Sequence, residues 1–281
     1  MFPRPSRIII PQYSAPAGLS LVAAAELLGD GKRAIAAQLI DFAVRKVVTI
    51  ARPAGRGKSS GFTITLQNDG AGEGPDERAI LLTLFGDPLA EGASIVLNPK
   101  RNRELGARLK HPHAWIAARL VTVGLARQRG FFEKAITPWR KEPIEPTPMA
   151  FPLVDHLWGV HDYVKLAEKD RLRFLQSPDG ALRREPLNEL EVLVLNEKLL
   201  PFAVLFGLEK KWMAELDLQY RDLPPELAAD LFDVLLIAEL AGYGLDMLVA
   251  VADVADILDV VDAADGVGAI FGGIGEFLGG L

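Results

Sequence analysis

A mostly helical α+β fold is predicted, on three observations. Apolar residues recur at three- and four-residue steps through most of the chain, the spacing of one helix face. Short β-branched runs bounded by Gly and Pro interrupt those stretches and read as strands. The 281 residues include no cysteine, so the core rests on aliphatic packing, without disulfides or thiolate metal sites.

Taken in order, RIIIPQY over residues 7–13 reads as a strand. Ser20 is an N-cap for a helix to Leu28, which Gly29-Asp30-Gly31 breaks. A second helix is expected over 32–46, with Ile35, Leu39, Phe42 and Ala43 on its apolar face. Strands over 47–52 and 62–67 follow, joined by the basic loop PAGRGKSSG. The pattern then recurs. A helix over 76–85 follows Pro75, a short strand covers 94–97, and two helices are expected over 99–110 and 112–123. Gly124 stops the second of these, and 125–128 pairs with 131–136 as a hairpin.

Strand, helix, helix, strand, loop, strand is a winged-helix order. The expected architecture is therefore two tandem winged-helix-like units, residues 1–70 and 71–140. Residues 141–152 hold four prolines, and an extended linker is drawn over 141–153. A helical domain is expected over 154–222. In it Asp155 acts as N-cap and Leu157, Val160, Val164 and Ala167 form a stripe that Leu172 and Leu175 continue. The pairs Glu168–Arg171 and Asp170–Arg173 are solvent-face spacings, and Ser177-Pro178-Asp179-Gly180 is a turn. A helix over 188–200 meets Pro201, Gly207 stops the chain direction, and 208–216 forms a third helix with Trp212 packed back on the bundle.

The last unit, 223–281, is an acidic, apolar helical hairpin over 226–241 and 245–265 with a Gly-rich end. Residues 231–252 contain Asp233, Glu239 and Asp246, each costing roughly 2.5–3.5 kcal/mol near mid-bilayer against about 0.3–0.6 returned per Leu or Val. That balance argues against a span and for packing on the protein or on a second copy. Asp253, Asp256, Asp259, Asp262 and Asp265 step three residues at a time, so their carboxylates spread around a helix and form a solvated or interfacial face.

The words VHDYVKLAEKDRLRFLQSP and NEKLLPFAVLFGLEKKWMAEL, with PQYSAPAGLS and AIAAQLIDFAVRKVVTI earlier, cover most of residues 8–216. On these words the chain resembles the cytoplasmic part of a bacterial membrane protein family, domain of unknown function 2207. That family carries a transmembrane hairpin where this chain has ITPWRKEPIEPTPMAFP, and an N-terminal signal that MFPRPSR does not supply. The resemblance implies a cytoplasmic module peripheral to the inner membrane. It assigns no catalytic residue.

Charge divides the chain. Residues 1–150 hold 21 Lys+Arg against 13 Asp+Glu, and 151–281 hold 10 against 24. Such asymmetry points to separate partners or to attraction between the halves. GxxxxGK[ST] and GxGxxG are absent. His111 and His113 flank Pro112 without a third ligand; His156 and His161 do not share a helix face; His161, Asp162, Glu168 and Asp170 are explained by helical pairing. The expected function is a non-enzymatic protein-interaction or scaffolding module, without cofactor or metal, that self-associates through its C-terminal helices. The alternative is DNA binding, with Lys32 and Arg33 opening a groove helix, Arg52, Arg56 and Lys58 on the wing, and Arg119 adding charge in the second unit.

Overall fold

A computed structural model of the protein describes residues 9, 11–12, 14–51, 61–68, 73–97, 102–130, 144–166 and 189–221. The expected C-terminal hairpin, its aspartate series, the 168–173 pairings, the 177–180 turn and the 131–136 strand lie outside the described residues.

Helix α1 (Leu21–Leu28) is buried along its whole length, as its composition, apolar but for Glu26, requires. Ser20 begins it as expected, its Oγ accepting the Ala23 N–H at 3.1 Å. Gly29, at φ 65°, ends it; the Gly29 and Asp30 N–H groups return to Glu26 and Ala25 carbonyls. A 3₁₀ turn (Gly31–Arg33) takes the place expected for the first turn of the next helix, α2 (Ala34–Val44).

The same closing bond pair ends α2: Lys46 N–H donates to Ala43 O and Val47 N–H to Phe42 O. Here the left-handed residue is Lys46, at φ 60°. An L side chain in that region costs roughly 1–2 kcal/mol, against about 0.5–1 for the extra freedom glycine loses. Lys46→Gly is therefore expected to stabilise the protein by about 0.5 kcal/mol, read as a higher urea midpoint at unchanged slope. A lower midpoint would show that the lysine side chain outweighs the strain.

Strands β1 (Val48–Ala51), β2 (Phe62–Leu66) and β3 (Ser94–Leu97) form one antiparallel sheet in that order. Val48 faces Leu66, Ile50 faces Ile64, and Phe62 faces Leu97, so one side of the sheet is apolar. Between β2 and β3 runs α3 (Pro75–Phe85), opened by the Gly74 N–H on Glu77 Oε2 at 2.9 Å. The strand assigned to the second unit thus completes the sheet of the first.

The two helices expected around Pro112 are a single helix, α4 (Asn102–Thr122). Proline removes one internal hydrogen bond. Buried Leu109, Ala114, Ile116, Ala117 and Leu120 hold the helix to the core on both sides of it. Gly124, at φ 78°, follows the helix as expected. The described partner of β4 (Ala126–Gln128) is β5 (Ile144–Pro146), inside the stretch expected to be a linker. The prolines allowed an extended chain, and the extended chain found a strand to pair with; Pro146 sits at its end, where a missing N–H is tolerated.

A 3₁₀ turn (Pro148–Ala150) leads into α5 (Phe151–Lys165). Asp155 is not its N-cap: the helix starts four residues earlier, with Pro152 in the first turn. Leu157, Val160 and Val164 are buried as the stripe predicts. Helix α6 (Glu189–Leu205) absorbs Pro201, and Gly207, at φ 72°, turns the chain into α7 (Glu209–Arg221). Trp212 packs back on α6, 2% exposed, its indole N–H on Asn196 O at 3.0 Å.

Buried residues from Leu21 to Leu216 form one contiguous core. Helix α2 lies between α1 and α6. Described parts of the expected winged units, linker and helical domain therefore share a single interior. Among the described residues no helix is long and apolar enough to cross a membrane.

Candidate functional site

Two of the basic residues singled out for phosphate contact, Arg33 and Arg119, are bound to carboxylates. Arg33 reaches from the 3₁₀ turn to the α6–α7 corner: its Nη1 lies 3.0 Å from Glu209 Oε2 and 3.3 Å from Val204 O. Its guanidinium fills the space beside Gly207, where an added Cβ would come within 3.3 Å of Cζ. Arg119 is bound in two-pronged fashion to Asp76, Nε to Oδ1 at 2.7 Å and Nη2 to Oδ2 at 2.5 Å. Ser20 Oγ donates to the same Oδ2 at 2.9 Å, so one carboxylate ties the starts of α1 and α3 to the end of α4. Arg108 donates to the Thr83 carbonyl. Lys32 lies in the 3₁₀ turn, and Arg52, Arg56 and Lys58 lie outside the described residues. Nine of the eleven residues of α2 are buried, and Gln38 and Asp41 are its polar residues. Helices α1 and α6 and strand β1 pack against it.

Three of the four histidines make contacts within the fold. His113 Nδ1 sits 3.0 Å from Glu26 Oε1 in a buried contact joining α4 to α1. Its Nε2 is buried without a hydrogen-bond partner. His156 Nε2 lies 2.8 Å from Ser14 O. His161 stands edge-on between Trp158 and Phe206, with centroids 4.9 and 5.0 Å away. Among the described residues no group of three His, Asp or Glu could hold a metal ion.

The described residues also include one apolar corner. Val123, Met149 and Phe151 are 45%, 58% and 39% exposed, and they are the exposed large hydrophobic residues of the described structure. The fold brings them together. Thr147 donates its N–H to Leu125 O and its Oγ1–H to Gly124 O, which lays the 3₁₀ turn against the end of α4. Met149 Cε then covers Gly124, 3.1 Å from where a Cβ would stand. Pro148 and Pro152 are exposed beside them, and neither 147–154 nor 120–126 contains a charged residue.

No family model matches this chain, and neither a curated protein nor a solved structure matches it.

The corner gathers exposed apolar area without a charged residue in either segment. Composition alone did not reveal it, because Val123 and Met149 are 26 residues apart. The available signal was the uncharged run around Met149, read as part of a linker.

Proposed function

We propose that this protein is a non-enzymatic interaction module that presents the Val123–Met149–Phe151 corner to a protein partner. The observation that carries the reading is that the exposed large apolar side chains among the described residues are Val123, Met149 and Phe151, with Met149 lying over Gly124, the neighbour of Val123. Single exposed hydrophobes are ordinary; a gathered patch marks an interaction surface. The first unit is read as winged-helix-like on the order α1, α2, β1, β2, with the fold serving protein contact. The resemblance to the membrane family supports a cytoplasmic place beside the inner membrane, since Met149 and Phe151 fall where that family carries its membrane hairpin. Self-association through residues 223–281 belongs to the same proposal.

The test is position-specific photo-crosslinking in cells expressing the full chain. A benzophenone side chain at position 149 is expected to give a discrete protein adduct that Phe151→Asp abolishes. The same group at Lys198, exposed on α6, is expected to give none. Adducts to lipid would replace the protein partner with a bilayer surface. Equal labelling at both positions, or none at 149, would refute the reading.

A further inference from the structure

The last turn of α2 and the first turn of α3 are joined by a single guanidinium shared among three carboxylates. Arg45 Nη2 lies 2.7 Å from Asp41 Oδ2 and 3.0 Å from Glu77 Oε1, and Nη1 lies 2.7 Å from Glu73 Oε2. Arg45 Nε also donates to Asp41 Oδ2 at 2.8 Å, and Gln38 Nε2 donates to the same oxygen at 3.0 Å. Arg45 is further held over the Phe42 ring, 5.5 Å from its centroid. Fully ionised, the cluster holds two more negative charges than positive ones, in a partly buried site.

A second observation concerns Gln38. Its side chain is wholly buried, and its Oε1 has no hydrogen-bond partner. That oxygen belongs to the amide that already touches Asp41. The described donors to Asp41 all fall on Oδ2, so a proton on Oδ1 displaces none of them. A protonated Asp41 is a donor, and the unfilled oxygen of the Gln38 amide is an acceptor. A buried acceptor left empty costs free energy that such a donor recovers.

We propose that the folded protein retains a proton in the Asp41–Glu73–Glu77 cluster, making the α2–α3 junction a latch that acid closes and base loosens. Burial pushes the Asp41 carboxyl above the ordinary aspartate range, against the lowering effect of Arg45; Glu73 adds to the rise. Burial raises Glu77 likewise, opposed by the Gly74 N–H and Arg45 and aided by Glu73 and Asp41. Of the charged groups on other elements packed against α2, Glu26 of α1 meets His113 and Arg33 of the 3₁₀ turn meets Glu209, while Glu197 is buried on α6. A carboxyl that binds its proton more tightly folded than unfolded stabilises the fold fully below its unfolded pKa. That contribution is lost as pH rises through the folded value. The latch therefore weakens on going from acid toward neutral and basic pH, opposite to an ion pair whose carboxylate is held ionised.

Two measurements on the full chain test it. Carboxyl carbon NMR of the unsubstituted protein is expected to show Asp41 titrating above its ordinary range. Urea unfolding across pH 4–8 is expected to show a smaller downward slope in Asp41→Asn, which keeps the shape and removes the proton. If Asp41 titrates in the ordinary range or below, the latch is refuted, whether or not the variant folds. An unchanged slope in Asp41→Asn, with Asp41 titrating high, would mean that its proton does not hold the junction and would overturn the latch.

Discussion

Asp76→Ala is expected to destabilise the protein by about 3 kcal/mol, at the lower end of the cost of breaking a buried ion pair. The carboxylate is 3% exposed and receives Ser20 Oγ and two nitrogens of Arg119. Removing it leaves those donors unfilled at the meeting of α1, α3 and α4. The Arg119 side chain is 31% exposed, so water recovers part of the loss, which is why the lower figure applies. The two-pronged geometry makes the pair specific to arginine, and Arg119→Lys should therefore lose most of the coupling. Urea unfolding of Asp76→Asn, Arg119→Gln and the double variant gives the coupling directly. An interaction term below roughly 0.5 kcal/mol would place the pair with ordinary surface bridges.

Trp212→Ala should cost about 3–5 kcal/mol, the range for truncating a large aromatic in a packed interior. The ring is 2% exposed and its N–H is bonded to Asn196 O, so the change opens a cavity and leaves a buried carbonyl without its donor. The more informative result is how the loss is distributed. Buried residues from Leu21 to Leu216 are one cluster, and α2 rests on α6. Far-ultraviolet circular dichroism and the fluorescence of the three remaining tryptophans are then expected to report one transition, shifted together to lower urea. Separate transitions would mean that α6 and α7 unfold alone and that the interior is not cooperative.

Local chemistry made much of this fold legible. Ser20 and Gly29 bracket α1 because a hydroxyl fills the first free N–H groups and a glycine accepts the left-handed turn. Ser94–Leu97 reads as a strand from its β-branched residues, and Gly207 separates α6 from α7 by the same rule as Gly29. Two local signals misled. Pro112 looked like a boundary, yet the apolar residues around it carry α4 through. The prolines at 143–152 looked like a tether, and a strand and a helix start lie among them. What no local signal contained was partnership at a distance. Arg33 and Arg119 read as free cations because their carboxylates are 176 and 43 residues away. Nor does periodicity show which helix covers α2; its composition says only that something must.

The clamp between Arg33 and Glu209 fixes when the protein can finish folding as well as how. A ribosome adding roughly 5–20 residues per second takes on the order of 10–30 s to reach Glu209 after Arg33. For that time α2 has been made and the helix that covers it has not. Closing so long a loop also slows folding, since the entropy is lost before the contact forms. The nascent chain thus carries a bare apolar helix through most of its synthesis. A message cut short before α6 yields a product that exposes the face of α2 with nothing to cover it, a substrate for chaperones or for aggregation.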